Sequence, residues 1–193
     1  MKQKQASYLT GKLLLAMPAI GDQRFHRSVI FMAAHDENGA MGLVINSDLP
    51  ELGFENLLDQ LGISSKIEVD LKNLNLPVMS GGPVEKSRGF LLHTTDFHQK
   101  ETIPVDDDFS ITGTIDALTK VAKGNGPDHA LFILGYAGWT AGQLEQELQK
   151  NAWLVLDSDP ALVFHEKTGD KWNMAIDKLG IDPAMLSGEI GRA

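Results

Sequence analysis

Two nearly unbroken apolar runs, Ser28 to His35 and Ala40 to Asn46, stand either side of Asp36-Glu37-Asn38-Gly39. Turn residues between two β-prone runs predict a hairpin. A hairpin with one wet face alternates apolar and polar residues, and these arms do not. The pattern therefore calls for a sheet covered on both faces, in the interior of the molecule. Leu13 to Met17 predicts another strand of the same kind, ended by Pro18. The segments Val78–Ser80, Gly89–Thr94, Phe109–Thr112, Ala130–Tyr136 and Trp153–Leu156 are further strand candidates, with a short one at Leu162–Phe164.

Helical spacing of apolar residues appears between these strands. Phe54 to Leu61 is stopped by Gly62, Ile115 to Lys123 by Gly124, and Trp172 to Leu179 by Gly180, each a glycine suited to the left-handed position after a helix. Gly135 to Gly138 reads as a turn leading to a helix over Thr140 to Lys150. Thr140 would cap that helix, with Gln143 returning a bond to its backbone as in a capping box. Ser64 to Asn75 is polar and weakly patterned. Interleaved strands and helices with a hairpin give the fold class α/β: a mixed, largely buried β-sheet with flanking helices and room for a smaller α+β lobe. A chain of 193 residues has the length of one domain, and no linker or repeat divides residues 1–193.

Composition removes several functions. With 26 acidic and 17 basic residues the formal charge is −9, which disfavours direct nucleic-acid binding, because that affinity comes largely from Lys and Arg neutralising phosphates. A helix-turn-helix reading of Trp172 to Leu179 followed by Pro183 places acidic Asp182 and Glu189 and the breaker Gly188 where a recognition helix should read bases. The absence of cysteine excludes disulfides and thiolate chemistry. Lys2, Lys4 and Lys12 before Leu13–Ile20 imitate a secretory leader, but Pro18 interrupts the short apolar core and no small-x-small cleavage site follows. No run approaches a membrane span. The expected location is cytoplasmic.

Candidate chemistry is sparse. The six histidines, at 26, 35, 93, 98, 129 and 165, show neither His-x-His nor His-Glu-x-x-His spacing, so no metal or other cofactor is expected. Asp106-Asp107-Asp108 reads as a solvated loop. No nucleophile–base pair is evident, and no catalytic residue is assigned. Two Gly-rich turns are the candidate binding elements. Ser80-Gly81-Gly82-Pro83 has Arg88 nearby to offer an anion-binding guanidinium. Gly138-Trp139-Thr140 with Gln143 precedes a helix, where orphan N–H groups favour anions. With His35 and His93 as strand-end acid/base groups and Asn46 at the hairpin end, these residues compose a candidate pocket for a small anionic metabolite or nucleotide. The first expectation is nonetheless a non-enzymatic regulatory or protein-interaction protein acting indirectly on gene expression, and the alternative is an enzyme or binding protein that uses this pocket. Convergence of Gly81, Gly138, His35 and His93 on one concavity would favour the pocket.

Several ordered motifs carry a resemblance: Gly11-x-x-Leu14-x-Ala16-x-Pro18, Asp22-x-x-Phe25-x-x-Ser28-Val29, His35-x-x-x-Gly39-Ala40-x-Gly42-x-x-x-Asn46, Gly81-Gly82-Pro83-Val84, and Gly135-Tyr136-Ala137-Gly138-Trp139 with Gln143-Leu144-Glu145. Together, from Gly11 to Gly191, the chain resembles the bacterial AlgH/YqgE-like family. The resemblance implies one α/β domain in the bacterial cytosol and a label of transcriptional regulator that names no mechanism. Given the acidic charge, any effect on gene expression is expected to be indirect. Family members often carry cysteine where this chain has Ala33, and Lys or Arg where it has Ser47, so thiol chemistry is excluded here and an anion site beside Asn46 is weakened.

Overall fold

The computed structural model describes residues 8–63, 76–165 and 167–186. Nine strands form one sheet among them: β1 Lys12–Ala16, β2 Val29–Asp36, β3 Gly39–Val44, β4 Val78–Ser80, β5 Val84–Thr94, β6 Ile103–Pro104, β7 Phe109–Thr112, β8 Ala130–Thr140 and β9 Trp153–Asp157. Their order is β6-β7-β5-β8-β3-β2-β1-β9, with β4 added in parallel to β8 and every other pairing antiparallel. The helices are α1 Phe54–Gln60, α2 Ile115–Ala122, α3 Gln143–Gln149, α4 Lys171–Lys178 and α5 Pro183–Leu186. The mixed α/β class is thus what the residues adopt. The space left for a smaller lobe is filled by the β4–β7 half of the same sheet.

The hairpin forms as its residues require, Asp36 pairing with Gly39 across a two-residue loop. Its unbroken hydrophobicity has the anticipated cause. Leu13, Leu15, Val29, Phe31, Leu43 and Ile45 point into one core with Trp172, Ala175 and Ile176 of α4. The alternate residues Leu14, Ala16, Ile30, Met32 and Val44 point the opposite way, onto Trp139, Trp153 and Leu144. Successive side chains of a strand take opposite faces, so a strand buried on both has no polar positions to spare. A third cluster packs α1 and α2 over Val78, Leu91 and Phe132. Gly62, Gly124 and Gly180 all take positive φ just beyond their helices, closing them as the sequence indicates.

Strand β8 departs from the sequence reading. Gly135–Gly138 is not a turn: the strand continues to Thr140, pairing with β4 and β5 through its first half and with β3 through Gly138, Trp139 and Thr140. Gly135, at φ +76°, absorbs a local distortion opposite an irregularity in β5 between Val84 and Gly89. Neighbours on both edges supply ladder bonds that outweigh the turn preference of glycine. Thr140 is accordingly not a helix cap. Gly142 occupies the N-cap of α3 in the left-handed region, and Gln143 still accepts the Thr140 N–H at 3.0 Å. Two smaller corrections follow: β5 starts at Val84, not Gly89, and Ala161–His165 is a π-helical turn rather than a strand. The polar stretch 64–75, Lys2 and Lys4, and Gly188 and Glu189 lie outside the described residues.

Candidate functional site

The residues after β1 build the site. Asp22 accepts the Arg24 N–H at 3.1 Å and starts a single 3-10 turn, Gln23–Phe25. Its carboxylate also grips the Arg24 guanidinium at 2.6 Å, which holds the Asp22 carboxyl below its usual range through that hydrogen bond. Arg27 then adopts φ +53°, a conformation that non-glycine residues rarely hold without support. Asn46 at the end of the hairpin supplies it. Its Nδ2 donates to Arg27 O at 2.9 Å and its Oδ1 accepts Val29 N–H at 2.8 Å. The Arg27 guanidinium lies 4.6 Å from the Trp172 ring centroid and donates to Asn173 Oδ1, a cation–π and hydrogen-bonded seat.

Opposite this segment runs Ser80-Gly81-Gly82-Pro83. Ser80 N–H donates to Ser47 O, Val44 N–H to Gly81 O, and Gly81 N–H to Leu134 O. Between the two segments is a groove of about 280 Å³ bordered by Arg24, His26, Arg27 and Lys86, with Ser28, Asn46, Ser47, Ser80 and Gly82 also on its wall. None of its lining residues is acidic, in a chain with 26 Asp and Glu. Lys86 forms no ion pair among the described residues.

A second cavity, about 480 Å³, adjoins the groove and shares Arg24, Phe25 and Pro83 with it. Gly138, Trp139, Trp153 and Gln143 are among its lining residues. The two indoles meet edge to face with centroids 5.9 Å apart. Glu147 fixes them, accepting Trp139 Nε1–H at 2.9 Å, Trp153 Nε1–H at 2.8 Å and the Gln143 amide at 2.9 Å.

The structure therefore brings Asn46 and Gly82 to one concavity and Gly138, Trp139 and Gln143 to its neighbour. Five candidates lie outside both. Gly81 is buried behind the groove, and exposed Thr140 bonds to Gln143. Arg88 pairs with Glu85 at 3.2 Å and lies over Phe90 rather than reaching Gly82. Glu85 itself, at φ +43°, has a carboxyl held below its usual range first by the Tyr136 hydroxyl and then by Arg88.

The two histidines are occupied in different ways. His35 accepts Leu9 N–H on Nδ1 at 3.1 Å, so its proton sits on Nε2, facing Glu145 Oε1 at 2.9 Å. His93 is fully buried. Its Nδ1–H donates to Thr94 O at 2.7 Å, leaving Nε2 to accept the Thr112 hydroxyl at 2.9 Å. Desolvation pushes the His93 imidazole below its ordinary value. The opposite tautomers follow from these partners. Gly81, Gly138, His35 and His93 do not converge on one concavity, which counts against the pocket built on them.

Sequence reasoning missed Arg24, His26, Arg27 and Lys86. The available signal was local: Arg24-Phe25-His26-Arg27 is a cluster of basic residues in an acidic chain, whereas Lys86 joins it only through the fold. Among the described residues no group of three His, Asp or Glu side chains is placed to hold a metal, and no helix is long and apolar enough to cross a membrane.

Comparison with known proteins agrees with this architecture. A UPF0301 protein of Methylocella silvestris is 47% identical over 100% of this chain and 95% of its own length. One from Bradyrhizobium is 50% identical over 96% and 88% respectively. The solution structure of the AlgH protein from Pseudomonas aeruginosa superposes with a TM-score of 0.78 at 36% identity, covering 100% of both chains. A Corynebacterium diphtheriae crystal structure, at 18% identity and TM-score 0.73 over 96% and 94% of the two chains, shares the fold. With the AlgH-like family model matching residues 13–184, the chain belongs to the AlgH-like family.

Proposed function

We propose that this chain is a non-enzymatic, cytoplasmic regulatory protein that binds a small anionic ligand in the groove between Arg24–Ser28 and Ser80–Lys86. One observation carries the reading: a concave surface lined by His26, Arg27, Lys86 and an Arg24 that is paired with Asp22 of the adjoining cavity, with no acidic residue in its own lining, on a chain of net charge −9. Acidic residues distributed without regard to the groove would have placed one or two among its twelve lining residues. Ser28, Ser47 and Ser80 also line it, and low-dielectric walls strengthen the local field. Ser47 leaves the position after Asn46 uncharged, but Lys86 brings a cation to the same groove from β5. His35 and His93, the acid/base candidates, lie outside it and are engaged in structural hydrogen bonds, which favours binding over catalysis. The net acidity supports an indirect effect on gene expression, through a protein partner that senses the ligand.

Thermal denaturation with inorganic phosphate, pyrophosphate and citrate tests the binding step. Ligand at a hundred times its Kd adds about 2.7 kcal/mol, or roughly 5–11 °C for a domain of this size. The shift should shrink with added salt and largely vanish in Lys86→Gln, while exposed Lys150→Gln, at the end of α3, retains it. No shift with any of the three anions at millimolar concentration would remove the proposal.

A further inference from the structure

Away from both concavities, the fold brings two histidines of distant segments together. His129 immediately precedes β8, and its backbone is tied to β5: its N–H donates to Thr94 Oγ1 at 3.2 Å and its carbonyl accepts the Thr94 N–H at 3.1 Å. Its ring stacks on Phe164, with centroids 6.1 Å apart and planes inclined by 25°. His165 closes the π-helical turn Ala161–His165, a rare conformation that recurs at functional sites. Asp159 holds that turn, its carbonyl accepting Val163 N–H at 3.0 Å and its carboxylate accepting Leu162 N–H at 2.9 Å. The two imidazoles consequently meet with their Nε2 atoms 3.3 Å apart, across a separation of 36 residues that no spacing motif reveals. Both residues are exposed, and neither Nδ1 has a hydrogen-bond partner among the described residues.

We propose that His129 and His165 chelate one divalent transition-metal ion through their Nε2 atoms, zinc being the ion whose geometry they fit. Two nitrogens bound to a tetrahedral zinc at about 2.0–2.1 Å lie about 3.3–3.4 Å apart, the spacing already present between the rings. Neutral imidazole is a ligand of choice for such ions. With both rings in the Nδ1–H tautomer, two Nε2 lone pairs converge on one point and each Nδ1–H is left to water. Among the described residues no third His, Asp or Glu completes the set, so water fills the other positions. His129 also borders a cavity of about 570 Å³ with Pro127, Asp128 and Phe164, which leaves room beside the pair for exchangeable ligands. Such a site exchanges its metal, unlike a closed four-ligand structural site. The proposal is independent of the anion groove, none of whose lining residues it uses.

The test titrates the full, tag-free chain with zinc chloride by calorimetry, and follows the imidazole ¹⁵N resonances in the same titration. One zinc per chain should bind saturably at micromolar concentration, moving the Nε2 signals of His129 and His165 and leaving those of the engaged His35 and His93 in place. Excess magnesium should not compete, because it takes oxygen ligands in preference to imidazole. His129→Gln and His165→Gln should each weaken zinc at least about tenfold, since losing a ligand outright costs no less than losing an outer-shell partner, worth about 10–100-fold. His98→Gln, at another exposed histidine, should leave the affinity unchanged. Both paired positions are on the surface, and thermal denaturation of each variant without metal reports that it is folded. Absence of saturable binding at micromolar zinc overturns the proposal. So does binding that survives either substitution, or a loss confined to one of the two variants, because a chelate needs both rings.

Discussion

At Gly82, where φ is +147°, a methyl group would lie 2.2 Å from the Tyr136 carbonyl carbon; at Gly138 it would lie 3.5 Å from the nearest atom, the edge of a ring. These glycines belong to the two motifs that looked alike in sequence, and both reach the surface depression near Pro83. Their reasons for being glycine differ. Gly82 lets Ser80–Pro83 cross beside β8 at a distance no side chain permits, so it shapes the groove by shaping the fold. Gly138 is not required by backbone conformation or by packing: a side chain there would lie on the Met41 and Tyr136 face of the strand in ordinary contact. A glycine in such a motif can therefore be required by the fold or tolerated by it, and only the neighbours of the α-carbon distinguish the two.

That contrast is breakable. The largest effect is expected at Gly82→Ala, where φ strain and a backbone clash combine. It should cost about 3–4 kcal/mol and lower Tm by on the order of 10 °C in thermal denaturation. A change under about 1 kcal/mol would mean the two glycines are equivalent after all.

The buried Trp139–Trp153 pair depends on Glu147. Its truncation to alanine strands the Trp139 and Trp153 indole N–H groups, both rings being more than nine-tenths buried. Loss of buried partners costs about 1–3 kcal/mol, measurable by urea unfolding. Glu147→Gln, which keeps an acceptor, should recover part of it. A silent Glu147→Ala would show that the indole pair holds itself by packing alone.

A smaller, pH-dependent effect comes from the half of the sheet away from both grooves. Burial disfavours the His93 imidazolium, so its folded pKa lies below the ordinary 6.5, and the unfolded chain takes up a proton first as pH falls. The contribution of His93 to stability is thus intact above about pH 6.5 and is eroded in the window immediately below, with a slope of at most about 1.4 kcal/mol per pH unit. His93→Gln should flatten that part of the stability–pH curve, measured by chemical denaturation at a series of pH values. An unchanged slope would place the titration on another group. Imidazole ¹⁵N shifts provide a companion check, with the proton on Nε2 in His35 and on Nδ1 in His93.

The smallest effect is expected at Gly138→Ala. Replacing an unconstrained strand glycine removes freedom from the unfolded chain and should stabilise by roughly 0.4–1 kcal/mol, opposite in sign to Gly82→Ala. Destabilisation of Gly138→Ala by more than about 1 kcal/mol would show that the fold does need glycine there.

Much of the sheet was legible in the residues. Runs such as Leu13–Leu14-Leu15 and Val29-Ile30-Phe31-Met32 carry no polar alternation because both faces are covered, and Gly62, Gly124 and Gly180 end their helices through local backbone chemistry. Strand β8 was half legible: Ala130–Leu134 reads as buried strand, but Gly135–Gly138 reads as turn because glycine's local preference was weighed without the strands that pair with it. At the site, Asn46, Gly82, Gly138, Trp139 and Gln143 were chosen from motif residues, and the charges that give the groove its character were not.

What the sequence by itself determined is the mixed sheet buried on both faces, the closure of its helices and the acidity of the chain, since each follows from properties of consecutive residues. Tertiary structure alone decided that Lys86 would stand with Arg24 and Arg27, that His35 and His93 would be held in other hydrogen bonds, and that Gly82 would be confined and Gly138 left open. Those outcomes depend on which atoms come within about 4 Å across the chain, and sheet pairing between distant segments sets that distance.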